Sequence, residues 1–227
     1  MNNTTTNAND RSRLNAIPML IALSVVAGLI AWYSLSMQTS SEPVAEPVKL
    51  EQGMLLPELR PLKPFSLTTH KGTSFDNQSL LGHWTFMSFG YTYCPDICPT
   101  TMALFSEMHN KIQTQAGTEP YQVTFVSVDP ERDSLERLSE YVTYFDPSFV
   151  GATGPEESLQ ELTKPLGILY KRVETEDSAM GYVMDHSASI ILVDPQGQFH
   201  AYFSPPHDAE KMAHDFIALS SQTETAR

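Results

Sequence analysis

Cys94 and Cys98, the two cysteines of the chain, are separated by three residues in the run Phe86-Met-Ser-Phe-Gly-Tyr-Thr-Tyr-Cys-Pro-Asp-Ile-Cys-Pro-Thr-Thr-Met102. Two thiols at this offset can close a disulfide or take one soft cation between them. A thiolate is also the nucleophile of disulfide exchange, so the spacing leaves metal binding and redox chemistry both open. A purely structural bridge is the third reading. It would close too short a loop to remove much entropy from the unfolded chain, and 227 residues can build a core without it.

The flanking residues predict how the pair is held. Trp84 to Phe89 is apolar and aromatic without a breaker, as expected of a buried strand. Beyond Cys98 the pattern turns helical: Pro99 suits a first helical position, and Leu104, Phe105, Met108 and Ile112 share one face. Cys98 is then the N-cap and Cys94 lies in the loop before it. The partial positive charge of a helix N-terminus favours thiolate over thiol there.

The remaining chain supplies a scaffold for that unit. A short strand is expected from Phe65 to Thr69, with a turn at Lys71-Gly72. Gly117 should end the cysteine helix, and Gln122 to Val128 reads as the next strand. This β-α-β unit implies a right-handed crossover between parallel strands. Helices follow at Ser134 to Phe145 and Pro155 to Lys164, around a short strand at Phe149-Val150. Strands are expected at Ile168 to Val173 and Ser189 to Val193. The turn Asp194-Pro-Gln-Gly197 leads to an antiparallel partner at Phe199 to Phe203, before a last helix from Asp208 to Leu219. Parallel β-α-β followed by hairpin and helix is the thioredoxin order. The predicted class is therefore α/β, thioredoxin-like, with a central mixed sheet flanked by helices and an insertion over residues 130–185.

Ahead of this domain, Ile17 to Leu35 carries no charge, and at about 1.5 Å per residue it just spans a hydrocarbon core of about 30 Å. Arg11 and Arg13 precede it, which orients a transmembrane helix with the N-terminus inside. A cleaved signal peptide is the alternative, but the apolar run is long for one and Ser34-Leu-Ser36 is a poor cleavage site. The expected organisation is a cytoplasmic tail (1–16), a transmembrane anchor (17–35), a Pro-rich linker (36–64) whose second half packs on the domain, the thioredoxin-like domain (65–221) and a short tail (222–227). The domain would face the periplasm or an equivalent oxidising compartment, where a close cysteine pair oxidises unless reduced or metallated. A net charge of −13 without a basic patch argues against nucleic acid as a partner.

The segment Gly90-Tyr-Thr-Tyr-Cys-Pro-Asp-Ile-Cys-Pro99 resembles the signature of the SCO1/SenC family, and Tyr93 stands where many members carry His. Phe65-Ser-Leu-Thr, Gly72, Ser127-Val-Asp-Pro-Glu-Arg-Asp133 and Asp185-His-Ser187 extend the resemblance over about residues 54–220. Members are membrane-anchored, thioredoxin-fold, copper-binding proteins that help assemble cytochrome c oxidase. The resemblance implies copper, as Cu(I) and Cu(II), on Cys94, Cys98 and His186. A lone His before a strand is ordinarily a hydrogen-bonded loop residue; the Asp185-His-Ser187 context makes His186 the expected third ligand. Two thiolates and a neutral imidazole give a net charge of about −1 with Cu(I) and about zero with Cu(II), so both states can be held. Zinc would want a fourth protein ligand, and no further cysteine exists.

Asp129 and Asp185 are candidates to support the site, Asp129 alternatively as a cap for the helix from Ser134. Met180 and Met184 could offer thioethers but more often pack, and His200, His207 and His214 read as surface residues. The resemblance implies a metallochaperone for the dinuclear copper site of cytochrome c oxidase subunit II, served by a periplasmic copper donor and a thiol reductant. A thiol-disulfide oxidoreductase is the alternative, with Cys94 attacking and Cys98 resolving; a redox or copper sensor is a further one. A thiol peroxidase is disfavoured, because Met87 and Tyr91 occupy the positions where its peroxide-binding motif would stand.

Overall fold

A computed structural model describes residues 24–34, 49–114, 120–175 and 181–225. The chain forms two compact units, residues 1–47 and 48–227. In the first, residues 24–34 form an exposed helix, α1. The remainder of the expected anchor, the tail 1–16 and linker residues 36–48 lie outside the described residues. Among the described residues no helix is long and apolar enough to cross a membrane.

The second unit is built on a mixed sheet. Its strands are β1 (Gly53–Pro61), β2 (Ser66–Thr69), β3 (Ser74–Asp76), β4 (Trp84–Gly90), β5 (Tyr121–Ser127), β6 (Val150–Thr153), β9 (Ile190–Val193) and β10 (Gln198–Phe203). They are ordered β1-β10-β9-β4-β5-β6-β2-β3. The pairs β4–β5 and β5–β6 are parallel and β4–β9 is antiparallel, as the thioredoxin-like class requires. Helices α2 (Ile97–Gln113), α3 (Leu135–Phe145), α4 (Glu156–Thr163) and α5 (Ala209–Thr225) flank the sheet, and β7 (Tyr170–Glu174) and β8 (Tyr182–His186) complete the unit.

β4 explains the layering. All seven of its residues are buried, and alternation sends them to two cores. Trp84 and Phe86 pack with Phe105, Met108 and Phe216 of α2 and α5; Met87 and Phe89 pack with Val126, Leu159 and Leu162 on the other face. Ser88 and Gly90 share the register of Phe86, so the C-terminal end of β4 opens toward α2. That is the end at which the cysteines sit.

Three expectations need correction. The second half of the supposed linker is a strand: β1 pairs with β10 from Gly53↔Phe203 to Pro61↔Gln198. It is fixed by Asp215 of α5, fully buried, which accepts the backbone N–H groups of Glu51, Gln52 and Gly53 at 2.7, 2.9 and 2.7 Å. Helix α2 begins at Ile97 with Asp96 as N-cap, so Cys98 is its second residue and Pro99 its third. Proline is still tolerated there, since first-turn N–H groups have no helical partner. The strand expected at Ile168 to Val173 forms as β7 but, among the described residues, pairs only with β8, in a hairpin apart from the main sheet. Gly117 lies outside the described residues.

Two histidines stand neutral inside this fold. His70 Nδ1 accepts the Gly151 N–H at 3.0 Å, and His207 Nε2 lies 2.9 Å from the Ala188 carbonyl. Burial pulls both below the usual histidine pKa, with Lys71 adding to the effect at His70. Below about pH 6.5 the unfolded chain therefore takes up protons that the folded chain refuses, and stability present above that pH is lost as pH falls. Thermal melts are expected to show Tm dropping from pH 7 to pH 5, with a shallower slope in a His70→Gln/His207→Gln double variant. An unchanged slope in that variant contradicts the assignment.

Candidate metal centre

The cysteine loop leaves β4 at Gly90 and is tied down before it reaches α2. Thr92 donates its N–H and its hydroxyl to the two oxygens of Asp133, at 2.9 and 2.7 Å, and Ser127 donates its hydroxyl to the same carboxylate at 2.5 Å. Asp133 is 1% exposed, and burial pushes its pKa up against the pull of these bonds. The Val128 N–H donates to the Gly90 carbonyl at 2.8 Å, and the Cys94 N–H to the Tyr91 carbonyl at 3.2 Å. Buried charge-assisted bonds of this kind fix a loop well, because breaking one strands a buried charge.

Gly90 makes room for the sulfur. A Cβ at this position would stand 2.5 Å from Cys98 Sγ and 3.1 Å from Phe125 Cε2. The glycine is needed here for close approach, since its backbone is not in the left-handed region. Cys98 is thereby seated against the end of β4 and is buried, while Cys94 is half-buried.

The third donor arrives from the other side. His186, the last residue of β8, places Nε2 3.3 Å from Cys98 Sγ. Its Nδ1 is 3.1 Å from the Ser187 carbonyl, which can only accept, so the proton sits on Nδ1 and the Nε2 lone pair faces the sulfur. The ligand atoms of Cys94, Cys98 and His186 all lie within 4.8 Å of one another, a grouping that could hold a metal ion. Both thiols are free.

The two sulfurs are electrostatically unequal. Cys94 is pushed far below the ordinary thiol range, first by the hydrogen bond from Cys98, then by the backbone N–H groups of Asp96 and Cys98. Cys98 is pushed far above it by donating that bond and by burial. The pair thus retains one proton, on Cys98, and presents a thiolate at Cys94, the more accessible sulfur. The N-cap residue Asp96 uses no side-chain cap, which leaves first-turn N–H groups free to serve the sulfur.

The supporting residues differ from those expected. Asp129, 2% exposed, neither caps α3 nor reaches the sulfurs; it pairs with Arg132 and accepts the Tyr182 hydroxyl at 2.9 Å. Ser134 caps α3 with its own hydroxyl, which accepts the Arg137 N–H at 3.1 Å. Asp185 is exposed, and it is the Ser187 carbonyl that engages Nδ1 of His186. Met184 is half-buried against both cores, and Met180 lies outside the described residues. His200 and His207 are not surface residues: the His200 ring packs 4.9 Å from Trp84, with Nδ1 3.4 Å from Asp194, and His207 is half-buried. His214 is exposed, as expected.

Sequence reading missed Gly90, Tyr91 and Arg132 as parts of the site, and placed Asp133 only at the strand end where ligands collect, without its bonds to the cysteine loop. Tyr91 is buried with its ring edge-on to His186, centroids 6.1 Å apart, and Arg132 stands 5.3 Å from the same ring. The available signal was positional: Gly90 to Thr92 sit between the strand and the first cysteine, and Arg132 and Asp133 follow the parallel strand's end.

A family model described as SCO1/SenC matches residues 57–220. The Arabidopsis thaliana protein named SCO1 homolog 1, mitochondrial, is 32% identical over 187 residues, 82% of this chain and 55% of its own, so this chain spans about half of that relative. The copper-bound structure of Arabidopsis thaliana ScoI is similar at 33% identity and TM-score 0.65, covering 71% of this chain and 98% of that one. Copper-bound Bradyrhizobium japonicum ScoI is similar at 35% identity and TM-score 0.60, covering 69% and 97%. With the cysteine motif, the fold and the family match in agreement, this chain belongs to the SCO1/SenC family.

Proposed function

We propose that the protein is a copper metallochaperone that takes Cu(I) or Cu(II) on Cys94, Cys98 and His186 and delivers it to the dinuclear copper site of cytochrome c oxidase subunit II. The convergence of two sulfurs and one imidazole within 4.8 Å carries this reading. Soft thiolates suit Cu(I), the imidazole extends the set to Cu(II), and the copper-bound relatives support the choice of metal. The cargo would be passed by ligand exchange: a target thiolate replaces Cys94, the more exposed donor, before Cys98 and His186 let go.

In this reading the uncharged run 17–35 anchors the protein in the cytoplasmic membrane, with residues 1–16 inside, a Pro-rich tether beyond it, and the domain in the periplasm or its equivalent. A copper donor and a thiol reductant would act there.

Transfer is the test. Full-length protein loaded with Cu(I) in detergent, mixed with the copper-free soluble domain of a subunit II, is expected to lose its metal and generate the spectrum of the dinuclear site after oxidation. Retention of copper by the donor contradicts delivery.

The unequal pKa values of Cys94 and Cys98 favour a second reading, a thiol reductant for the same target. The Cys94 thiolate would attack the target disulfide to form a mixed disulfide and release one target thiolate. Cys98, once deprotonated, would then close the Cys94–Cys98 disulfide and free the second. His186→Ala separates the roles: reductase activity persists while copper delivery falls.

A further inference from the structure

The third ligand hangs on an element that the main sheet does not hold. Among the described residues β7 and β8 pair only with each other, and an isolated two-stranded hairpin is marginally stable in water. His186 is the last residue of that hairpin. Something else must dock it.

The contacts at Tyr182, the first residue of β8, supply the answer. The Arg132 guanidinium carbon stands 3.5 Å from the centroid of the Tyr182 ring, and Arg132 Nη1 donates to the Tyr182 carbonyl at 3.1 Å. Arg132 Nε pairs with the buried Asp129, whose other oxygen accepts the Tyr182 hydroxyl. The segment after β5 thus grips one hairpin residue by its ring face, its hydroxyl and its backbone. Arg172 of β7 stands 3.7 Å from the same centroid; two guanidinium groups this close to one ring can only lie on opposite faces. Its charge is met by Glu131 and Glu174 at 3.0 and 2.7 Å.

The stack continues into the site. The same Arg132 guanidinium lies 5.3 Å from the ring centroid of Tyr91, which packs edge-on to His186. Arg132 is 7% exposed at its side chain, and its Nη2 has no hydrogen-bond partner among the described residues. A guanidinium buried with one end unsatisfied is placed for its planar face and fork, roles that lysine cannot fill.

We propose that Arg132 is a positioning residue for His186: stacked on Tyr182 and against Tyr91, it docks the β7–β8 hairpin onto the cysteine loop and sets the imidazole as third ligand. The proposal rests on the copper-binding reading above and deepens it. Two thiolates alone satisfy linear Cu(I), whereas Cu(II) needs the nitrogen, so the clamp governs which oxidation state is held.

The test uses the full-length protein with Arg132→Lys, which keeps a charge beside Asp129 but loses the planar face. Tyr182→Leu serves as a second variant that leaves the Arg132–Asp129 pair intact. In both, Cu(II) affinity is expected to fall about tenfold, the scale of losing a supporting partner of a metal ligand, while Cu(I) affinity stays within about twofold. Added to His186→Ala, Arg132→Lys should cost no further Cu(II) affinity. In the metal-free protein, amide exchange over residues 182–186 should speed by at least about fivefold while β4 and β5 are unchanged. Tyr182→Phe, which keeps the ring and loses only the hydroxyl bond to Asp129, should speed exchange less than Tyr182→Leu. Equal losses of Cu(I) and Cu(II), additivity with His186→Ala, or unaltered hairpin exchange would each overturn the clamp. A wild type that takes no copper defeats the metallochaperone reading, and the exchange of residues 182–186 then decides the clamp by itself.

Discussion

Cys98→Ser is expected to lower Cu(I) affinity by roughly a thousandfold, equivalent to about 4 kcal/mol, while leaving the fold intact. The sulfur is seated between Gly90 and His186, 3.3 Å from Nε2 of the imidazole, so its loss removes a soft ligand and breaks the link between the two halves of the site. Serine fits the space and keeps a hydrogen-bonding group, which separates metal chemistry from packing. Because the serine hydroxyl can still donate to the Cys94 sulfur, the Cys94 pKa should stay below the ordinary thiol range in Cys98→Ser and rise toward it in Cys98→Ala, where the first cause of its depression is gone. Competition against a chromophoric Cu(I) chelator and alkylation of Cys94 as a function of pH read the two effects. Near-wild-type copper affinity in Cys98→Ser contradicts the site as described.

Gly90→Ala is the second large effect, and it acts without touching a ligand. The added Cβ would stand 2.5 Å from Cys98 Sγ and 3.1 and 3.3 Å from two ring atoms of Phe125, so sulfur and ring must both give way. Overpacking of this kind costs about 1–3 kcal/mol of stability, which for a domain of this size lowers Tm by about 2–12 °C. The displaced sulfur no longer shares a small volume with Cys94 and His186, and Cu(I) affinity should fall at least about tenfold, or 1.4 kcal/mol. Circular dichroism and the same chelator competition measure the two consequences. A variant of unaltered copper affinity would show that Gly90 does not set the sulfur's position.

How much of this was legible in the sequence follows from which forces are local. β4 and α2 were readable because an unbroken apolar run and a one-faced helical pattern do not depend on distant partners. The strand β1 was hidden by Pro57 and Pro61, which read as linker. An edge strand tolerates proline, and β1 lies at the sheet's edge with its register shift falling between Leu55 and Arg60, around Pro57. The residue His186 was found through its sequence context in the family, since nothing about a single imidazole states what it will face. Arg132 and Tyr182 escaped, and Asp129 was named without its partners, because their interaction joins segments some fifty residues apart. Polar residues near a strand end look like turn residues until the chain folds back on them. Likewise His200 and His207 looked solvated, yet Trp84 and the Ala188 carbonyl cover them only in the folded molecule.

The central claim is that one copper ion is held by two sulfurs and one nitrogen from this chain. X-ray absorption of the full-length protein loaded with one equivalent of Cu(I) tests it most directly, compared with His186→Ala. Two sulfur neighbours and one nitrogen, reduced to two sulfurs in His186→Ala, are the predicted result. A single sulfur, a shell of nitrogen and oxygen alone, or a shell unaffected by His186→Ala would contradict it.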